Sequence, residues 1–232
     1  MNFFEAITKR RSVRKFHATA VPAEVIDKAI DAALLAPNSS NMQPWEFYKV
    51  RSADKKAAII DACFGQSAAR TASELIVAVA RRDTWKRNQQ LQIAALKKNP
   101  NTPSTVFDYY EKLVPMTYIH GPFSIFGLLK RIIMSVVGLF KPVPRGPFSH
   151  SATWRVLIKT TALACENLML ALTAQGYASC PMEGFDERRV KKILGLGRQA
   201  RIVMIIGAGE ADESGIWGEQ IRHDRNLFVF DV

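Results

Sequence analysis

Arg10-Arg11-Ser12-Val13-Arg14-Lys15-Phe16 crowds arginine, lysine and a hydroxyl into one short run behind the segment Met1-Asn2-Phe3-Phe4-Glu5-Ala6-Ile7. Arginine offers a planar fork of N–H donors matched to phosphate oxygens, and serine adds a hydroxyl donor. A second stretch, Pro37-Asn38-Ser39-Ser40-Asn41-Met42-Gln43-Pro44-Trp45, is rich in small polar residues that form turns. A third, Pro181-Met182-Glu183-Gly184-Phe185, places glycine directly after an acid, and Arg222 stands near the C-terminus. Cations and hydroxyl donors combined with a turn that lets backbone approach closely suit a phosphorylated, planar ligand.

Working outward from these stretches, the pattern is of the α+β kind. Phe3 to Arg10 reads as a short helix. Pro22 to Leu35 reads as a second, with Pro22 in its first turn, Ile26, Ala29, Ile30 and Ala33 on one face, and Pro37 ending it. The Asn/Ser turn leads into a strand over Trp45 to Val50, and Leu75 to Ala80 is a candidate buried strand, with a helix over Ala53 to Cys63 between them. Ala152 to Gln175 is the longest helical candidate, closed by Gly176 in the position of a left-handed cap. Its residues Trp154, Ile158, Thr161, Cys165, Leu168 and Leu172 alternate steps of four and three, the spacing of a helix seam. Both a core helix and a dimer interface satisfy that spacing. A strand over Tyr177 to Cys180, a helix over Asp186 to Leu194 and a strand over Ile202 to Ile206 follow.

The 232 residues, 48% hydrophobic and 23% charged, suffice for a single domain over 1–232 with a substantial core. Cys63, Cys165 and Cys180 lack metal-ligand spacing, which predicts neither zinc nor a structural disulfide and suits a reducing compartment. Lys9-Arg10-Arg11 arrives before any apolar core of signal-peptide length, so a cytoplasmic location is expected. The net charge of +11 attracts phosphates, anionic lipids or nucleic acid. The basic residues are spread along the chain and accompany no nucleic-acid-binding motif, so no nucleic-acid partner is expected. His120, His150 and His223 are isolated and suggest no metal site.

Residues 119–147 form an apolar excursion. Ile125, Leu128, Leu129, Ile132, Ile133, Val136, Val137 and Phe140 recur by threes and fours, interrupted by Lys130, Arg131 and Lys141. The uncharged runs are only about half the roughly 20 residues of a membrane span, which excludes a transmembrane helix here. A lid over the ligand, an interface or core helix, and a basic amphipathic helix in peripheral contact with a membrane all remain open.

The Arg-Arg-Ser-x-Arg-x-Phe start, the Asn-x-Gln-Pro-Trp turn and the Pro-x-Glu-Gly-Phe segment together resemble the nitroreductase family of FMN-dependent NAD(P)H oxidoreductases. The resemblance runs from Phe3 to the C-terminus apart from the middle. It implies an α/β/α sandwich around a mixed sheet, and an intertwined homodimer with FMN at two sites across the interface. By the same resemblance Arg10 and Arg222 hold the phosphate, Ser12 donates to the phosphate or the ribityl chain, and Arg11 follows the ribityl side. Arg14 stabilises negative charge near N1 and O2 of the reduced ring, while Pro37, Asn38, Ser39 and Asn41 reach the flavin from the partner subunit. Pro181, Met182, Glu183 and Gly184 lie along one ring face, with the Glu183 main-chain N–H donating to flavin N5. Around Gly65-Gln66-Ser67-Ala68 the chain departs from the family pattern, with no counterpart of a further ring-contacting cation, and Gln66 is the candidate there for a hydrogen bond to the pyrimidine edge. Gln43, Pro44 and Trp45 fix the turn. Gln220 stands where some relatives carry a second basic residue, which predicts weaker FMN retention or a lower potential. The implied activity passes hydride from NADH or NADPH through flavin N5 to a small apolar or aromatic acceptor, such as a nitroaromatic or quinone. Ene reduction, reductive dehalogenation and dehydrogenation use the same scaffold, and a flavin-binding, membrane-associated module with little turnover is the alternative from another class.

Overall fold

In the computed structural model, which describes residues 1–232, four strands form one sheet in the order β1-β2-β4-β3: β1 (Trp45–Lys49), β2 (Glu74–Arg81), β3 (Ala178–Met182) and β4 (Ala200–Gly209). Every ladder between neighbouring strands is antiparallel. The parallel part of the expected mixed sheet is confined to one bridge, Ser12 to Ser179, which fastens the basic N-terminal stretch to the outer edge of β3.

Ten α-helices accompany the sheet. The first four are α1 (Phe3–Lys9), α2 (Ala23–Leu34), α3 (Ala53–Ala62) and α4 (Ser67–Thr71). Between β2 and β3 come α5 (Trp85–Leu96), α6 (Ser104–Asp108), α7 (Val114–Tyr118), α8 (Ile125–Val137) and α9 (His150–Ala174), and α10 (Glu187–Leu194) links β3 to β4. Asn2 and Glu5 close a capping box on α1, and Pro22 is the N-cap residue of α2 rather than part of its first turn.

Helices cover both faces of the sheet. Leu75, Val77 and Val79 of β2 pack with Ile59, Ala69 and Val190 from α3, α4 and α10. The intervening Ile76 and Ala78 pack with Ile26, Ala29, Leu168 and Leu172 from α2 and α9. With both faces occupied, β2 has no solvent side to mark with polar residues, and it reads in the sequence as an unbroken apolar run. Two strands run past their expected ends. β3 continues through Pro181, which an edge strand tolerates because a missing N–H on the open side costs no ladder bond. β4 continues through Gly207-Ala208-Gly209, where a Cβ on Gly207 would come within 3.0 Å of the Ala68 carbonyl and one on Gly209 within 3.0 Å of Phe16. Close packing demands glycine there, and glycine hides the strand from a hydrophobic pattern.

The seam on α9 divides. Thr161, Cys165, Leu168 and Leu172 are buried within the chain, Cys165, Leu168 and Leu172 in the core against α2. Trp154 and Ile158 lie outside that core, Trp154 flanked by the Arg82 and Arg201 guanidiniums, while Ile158 and Leu163 stay exposed. Helix α9 is long and apolar enough to cross a membrane by length and composition, but its buried side belongs to this core. The three cysteines are free and buried, and burial pushes the Cys63 thiol up to about 11 and Cys165 to about 12. Helix α8 is no core helix: Gly127 is its one buried residue.

Candidate functional site

The basic stretch is held by its apolar members and its backbone. Val13 and Phe16 are buried, the Val13 N–H donates to Ser179 O at 3.1 Å, and the Arg14 N–H donates to Gly215 O at 2.9 Å. The Phe16 N–H donates to Thr71 Oγ1 at 3.1 Å. With Val13 and Phe16 turned inward, Arg10, Arg11, Ser12 and Arg14 line a cavity of about 180 Å³ that the C-terminal segment completes with Trp217, Gln220 and Arg222.

Four guanidiniums face one carboxylate, Glu219, in that lining, so the cavity carries surplus positive charge. The guanidiniums are engaged only loosely by the protein. Arg10 approaches Glu166 at 3.8 Å, Arg11 donates to Gly218 O at 2.9 Å, and Arg222 donates to Ile221 O at 2.7 Å. Arg14 stacks over Trp217 with its guanidinium carbon 4.4 Å from the ring centroid and donates to Ser12 O at 3.4 Å. Each therefore keeps N–H donors free for an anion. Gln220, which stands where some relatives carry a second cation, has its amide placed to accept from Arg222 Nη2 at 2.9 Å and donate to Thr8 O at 3.3 Å. It orients Arg222 in place of adding charge.

From Ser179, beside Ser12, the outer edge of β3 leads to Glu183 and Gly184 about 13 Å further along the chain direction. Both are exposed, and neither main-chain N–H finds an acceptor in the protein. The Gln66 amide donates to Gly184 O at 2.9 Å, so Gln66 does join this segment. A Cβ on Gly184 would meet only Gln66 Nε2, at 4.0 Å, which leaves the adjoining space open. Asp186, not Glu183, caps α10, accepting from the Arg188 and Arg189 N–H groups at 3.0 and 3.1 Å.

The Asn/Ser turn lies elsewhere. Ser39 and Ser40 border a cleft shared with Thr153, Leu157 and Thr160 of α9, and Asn41 and Gln43 border another beside α5. None of them lines the arginine cavity. The turn is tightly built: Ser40, Asn41 and Gln43 adopt φ of 56°, 46° and 43°, a left-handed conformation that non-glycine residues occupy only when neighbours enforce it. Asn38 Oδ1 accepts from the Gln43 N–H at 2.7 Å, and buried Asn88 donates to Met42 O at 2.8 Å and Gln43 O at 3.1 Å. Asn88 and Trp217 are the two supporting residues that motif reading missed. Neither belongs to a motif, and only their contacts reveal them.

The family model of the nitroreductase family matches residues 7–210. This chain belongs to the nitroreductase family. Among similar proteins, the NADH dehydrogenase of Thermus thermophilus is 27% identical over 214 residues, covering 90% of this chain and 87% of that protein. YdgI of Bacillus subtilis, assigned as an NAD(P)H nitroreductase, is 24% identical over 217 residues, covering 92% of this chain and 90% of its own. A protein of Exiguobacterium sibiricum 255-15, assigned as a nitroreductase and solved in complex with FMN, superposes with a TM-score of 0.74 at 23% identity, over 100% of this chain and 98% of its own. The nitroreductase family fold thus accounts for the whole chain. Helix α8 does not line the arginine cavity, so within one chain it is no lid over Arg10, Arg14 and Arg222.

Proposed function

We propose that this nitroreductase-family chain binds FMN along the edge of β3 and uses NAD(P)H to reduce a small, electron-poor acceptor such as a nitroaromatic or quinone. The observation that carries this reading is a line of unspent donors: loosely held guanidiniums in one cavity and, further along the same strand edge, two free main-chain N–H groups beside open space. A flavin mononucleotide is itself linear in this sense, with a dianionic phosphate at one end and a planar ring at the other. The donor set fits that group.

Arg10 and Arg222 would neutralise the phosphate, and Ser12 and Arg11 would donate to the ribityl chain. Arg14, held by Trp217, would place positive charge beside the pyrimidine edge. The Glu183 N–H would orient flavin N5, and the missing side chain at Gly184 would admit the ring. FMN when bound supplies the redox chemistry, taking hydride from the nicotinamide and passing it to the acceptor. The protein contributes position and charge, and the Glu183 carboxylate has no proton-transfer role.

The turn at Pro37, Asn38, Ser39 and Asn41 fits a place at the site of a second copy, since it lines no part of the arginine cavity of its own chain. The exposed apolar residues Ile158 and Leu163 of α9 support a homodimer through that helix. The test is the visible spectrum of the purified protein, recorded anaerobically before and after NADH or NADPH. A flavin spectrum that bleaches with a nicotinamide and returns with a quinone or nitroaromatic is the expected result. A colourless protein that cannot be reconstituted with FMN overturns the reading.

A further inference from the structure

Helix α8 wears its apolar face on the outside. The side toward the rest of the protein is formed by Gly127, which leaves no room for a Cβ against the Phe148 carbonyl, and by Lys130, whose ammonium donates to Met116 O at 2.8 Å and Ile119 O at 2.5 Å. Met134 and Val137 complete that side, half-buried. Ile125, Leu128, Leu129, Ile132, Ile133 and Val136 point away from it and are 50–58% exposed. Beyond the helix, Leu139 and Phe140 are exposed as well. A patch this continuous on a water-soluble surface marks an interaction site.

The charge around the patch selects what covers it. Between Glu111 and Glu166 the chain contains no acidic residue, so every group charged at neutral pH in that stretch is lysine or arginine. Arg131, Arg145 and Arg155 converge on a cavity of about 560 Å³ at the base of α8, with Ser124 and Ser149 in its wall and Phe123 at its rim. No carboxylate lines this cavity, and none of the three guanidiniums forms an ion pair. Arg145 makes one long hydrogen bond, 3.4 Å to Gly138 O. A second copy pairing through the same face would add its own unpaired arginines to the interface and bring no carboxylate from that stretch to meet them, because a two-fold interface uses the same patch twice. An anionic lipid surface offers what the face lacks: phosphates for the arginines and acyl chains for the apolar side.

We propose that α8 docks this protein on anionic phospholipid bilayers, with Ile125, Leu129, Ile132 and Val136 among the acyl chains and lipid phosphates in the Arg131–Arg145–Arg155 cavity. Thirteen residues extend about 20 Å, short of the roughly 30 Å hydrocarbon core, so the helix lies in the plane of the interface. This inference is independent of the flavin reading.

The test is co-sedimentation of the full chain with vesicles of phosphatidylcholine alone and of phosphatidylcholine mixed with phosphatidylglycerol. Strong partition onto the mixed vesicles and weak partition onto the neutral ones is expected. Replacing the three arginines together (Arg131→Gln, Arg145→Gln, Arg155→Gln) should weaken binding on the order of 100-fold, about fivefold for each cation near the surface. The exposed positions of Ile132→Glu and Val136→Glu spare the fold, and that pair should abolish binding. Depth is read from an environment-sensitive fluorophore on Ile132→Cys, which labels selectively because the native cysteines are buried; its emission should shift to the blue on the mixed vesicles. Three results overturn the proposal: equal or absent binding to the two vesicle types, arginine-dependent binding of inorganic phosphate with no binding to vesicles, or Ile132→Glu/Val136→Glu turning a dimer into a monomer with no vesicle binding by the parent. None of these reads the flavin, so failure here leaves the proposed activity untouched, and the spectrum that tests the activity does not depend on lipid.

Discussion

A single methyl group at Gly184 should separate cofactor binding from folding. The φ of Gly184 lies outside the left-handed region, and the nearest atom to an added Cβ, apart from chain neighbours, is Gln66 Nε2 at 4.0 Å, an ordinary contact. Alanine is therefore unstrained in the protein alone, and by restricting the unfolded chain it should stabilise the fold by about 0.4–1 kcal/mol. For a domain of this size that raises the midpoint of thermal unfolding by roughly 1–4 °C. The same methyl occupies the space in which the flavin ring would pack against the backbone, and overpacking a close contact costs about 1–3 kcal/mol. The FMN dissociation constant of Gly184→Ala should accordingly rise by roughly 5- to 150-fold. Thermal unfolding of the FMN-free protein and titration of FMN fluorescence measure the two quantities separately. Gly197→Ala is the control, because a Cβ there meets nothing within 4 Å and its φ is also outside the left-handed region, yet it lies away from β3. Unchanged FMN affinity in Gly184→Ala refutes the placement of the ring, and so does an equal loss in the control.

Other outcomes follow from the same geometry. Arg10→Gln and Arg222→Gln each remove a charge-assisted donor worth about 1.5–3 kcal/mol and should weaken FMN binding by roughly 10- to 150-fold in fluorescence titration. Arg10→Gln should barely change the stability of the FMN-free protein, since its pairing with Glu166 is long and partly exposed. Arg14→Gln should lower the midpoint potential of the bound flavin, because a cation near 4 Å favours the reduced, more negative ring by up to about 4 kcal/mol, or roughly 90 mV for two electrons; an unchanged or higher potential in a dye-coupled anaerobic titration sinks that role. Fully buried His120, whose Nε2 pairs with Thr153 Oγ1 at 2.7 Å, has its pKa lowered to about 4 by burial, helped by the nearby Lys130 and His150. The fold then holds the ring neutral while the unfolded chain protonates near pH 6.5, so stability is complete above that pH and is lost as pH falls toward 4, by up to about 3 kcal/mol. Unfolding midpoints across this window should fall less steeply for His120→Gln than for the parent, and parallel curves exclude the effect.

Much of the layout was legible because local chemistry dictates it. Ile26, Ala29, Ile30 and Ala33 keep helical spacing and form α2, the unbroken run from Leu75 to Ala80 forms β2, and Gly176 closes α9 with a φ of +88°. The stretch from Trp85 to Tyr118 was illegible. Within α5 only Asn88 is buried, and its amide, which holds the turn, interrupts the stripe of half-buried Trp85, Ile93 and Leu96 that packs against Met42, Tyr110 and Val114. The seam on α9 was legible as a seam but not by its partner, since steps of three and four suit packing against α2 as well as against another copy.

The sequence by itself determined the chemical inventory proposed for the site: the arginines and serine near the N-terminus, the Asn/Ser turn, the glycine after Glu183, the distant Arg222. It also determined that residues 125–137 carry an apolar stripe. Only the tertiary structure decided that Arg10, Arg14 and Arg222 share one cavity while the turn stands apart, because long-range pairings such as Ser12 with Ser179 leave no mark on local propensity. It alone decided that the stripe on α8 faces outward. Helical periodicity states where apolar residues sit around an axis, and the side on which the rest of the protein lies is set by Gly127 and Lys130 anchoring the opposite face.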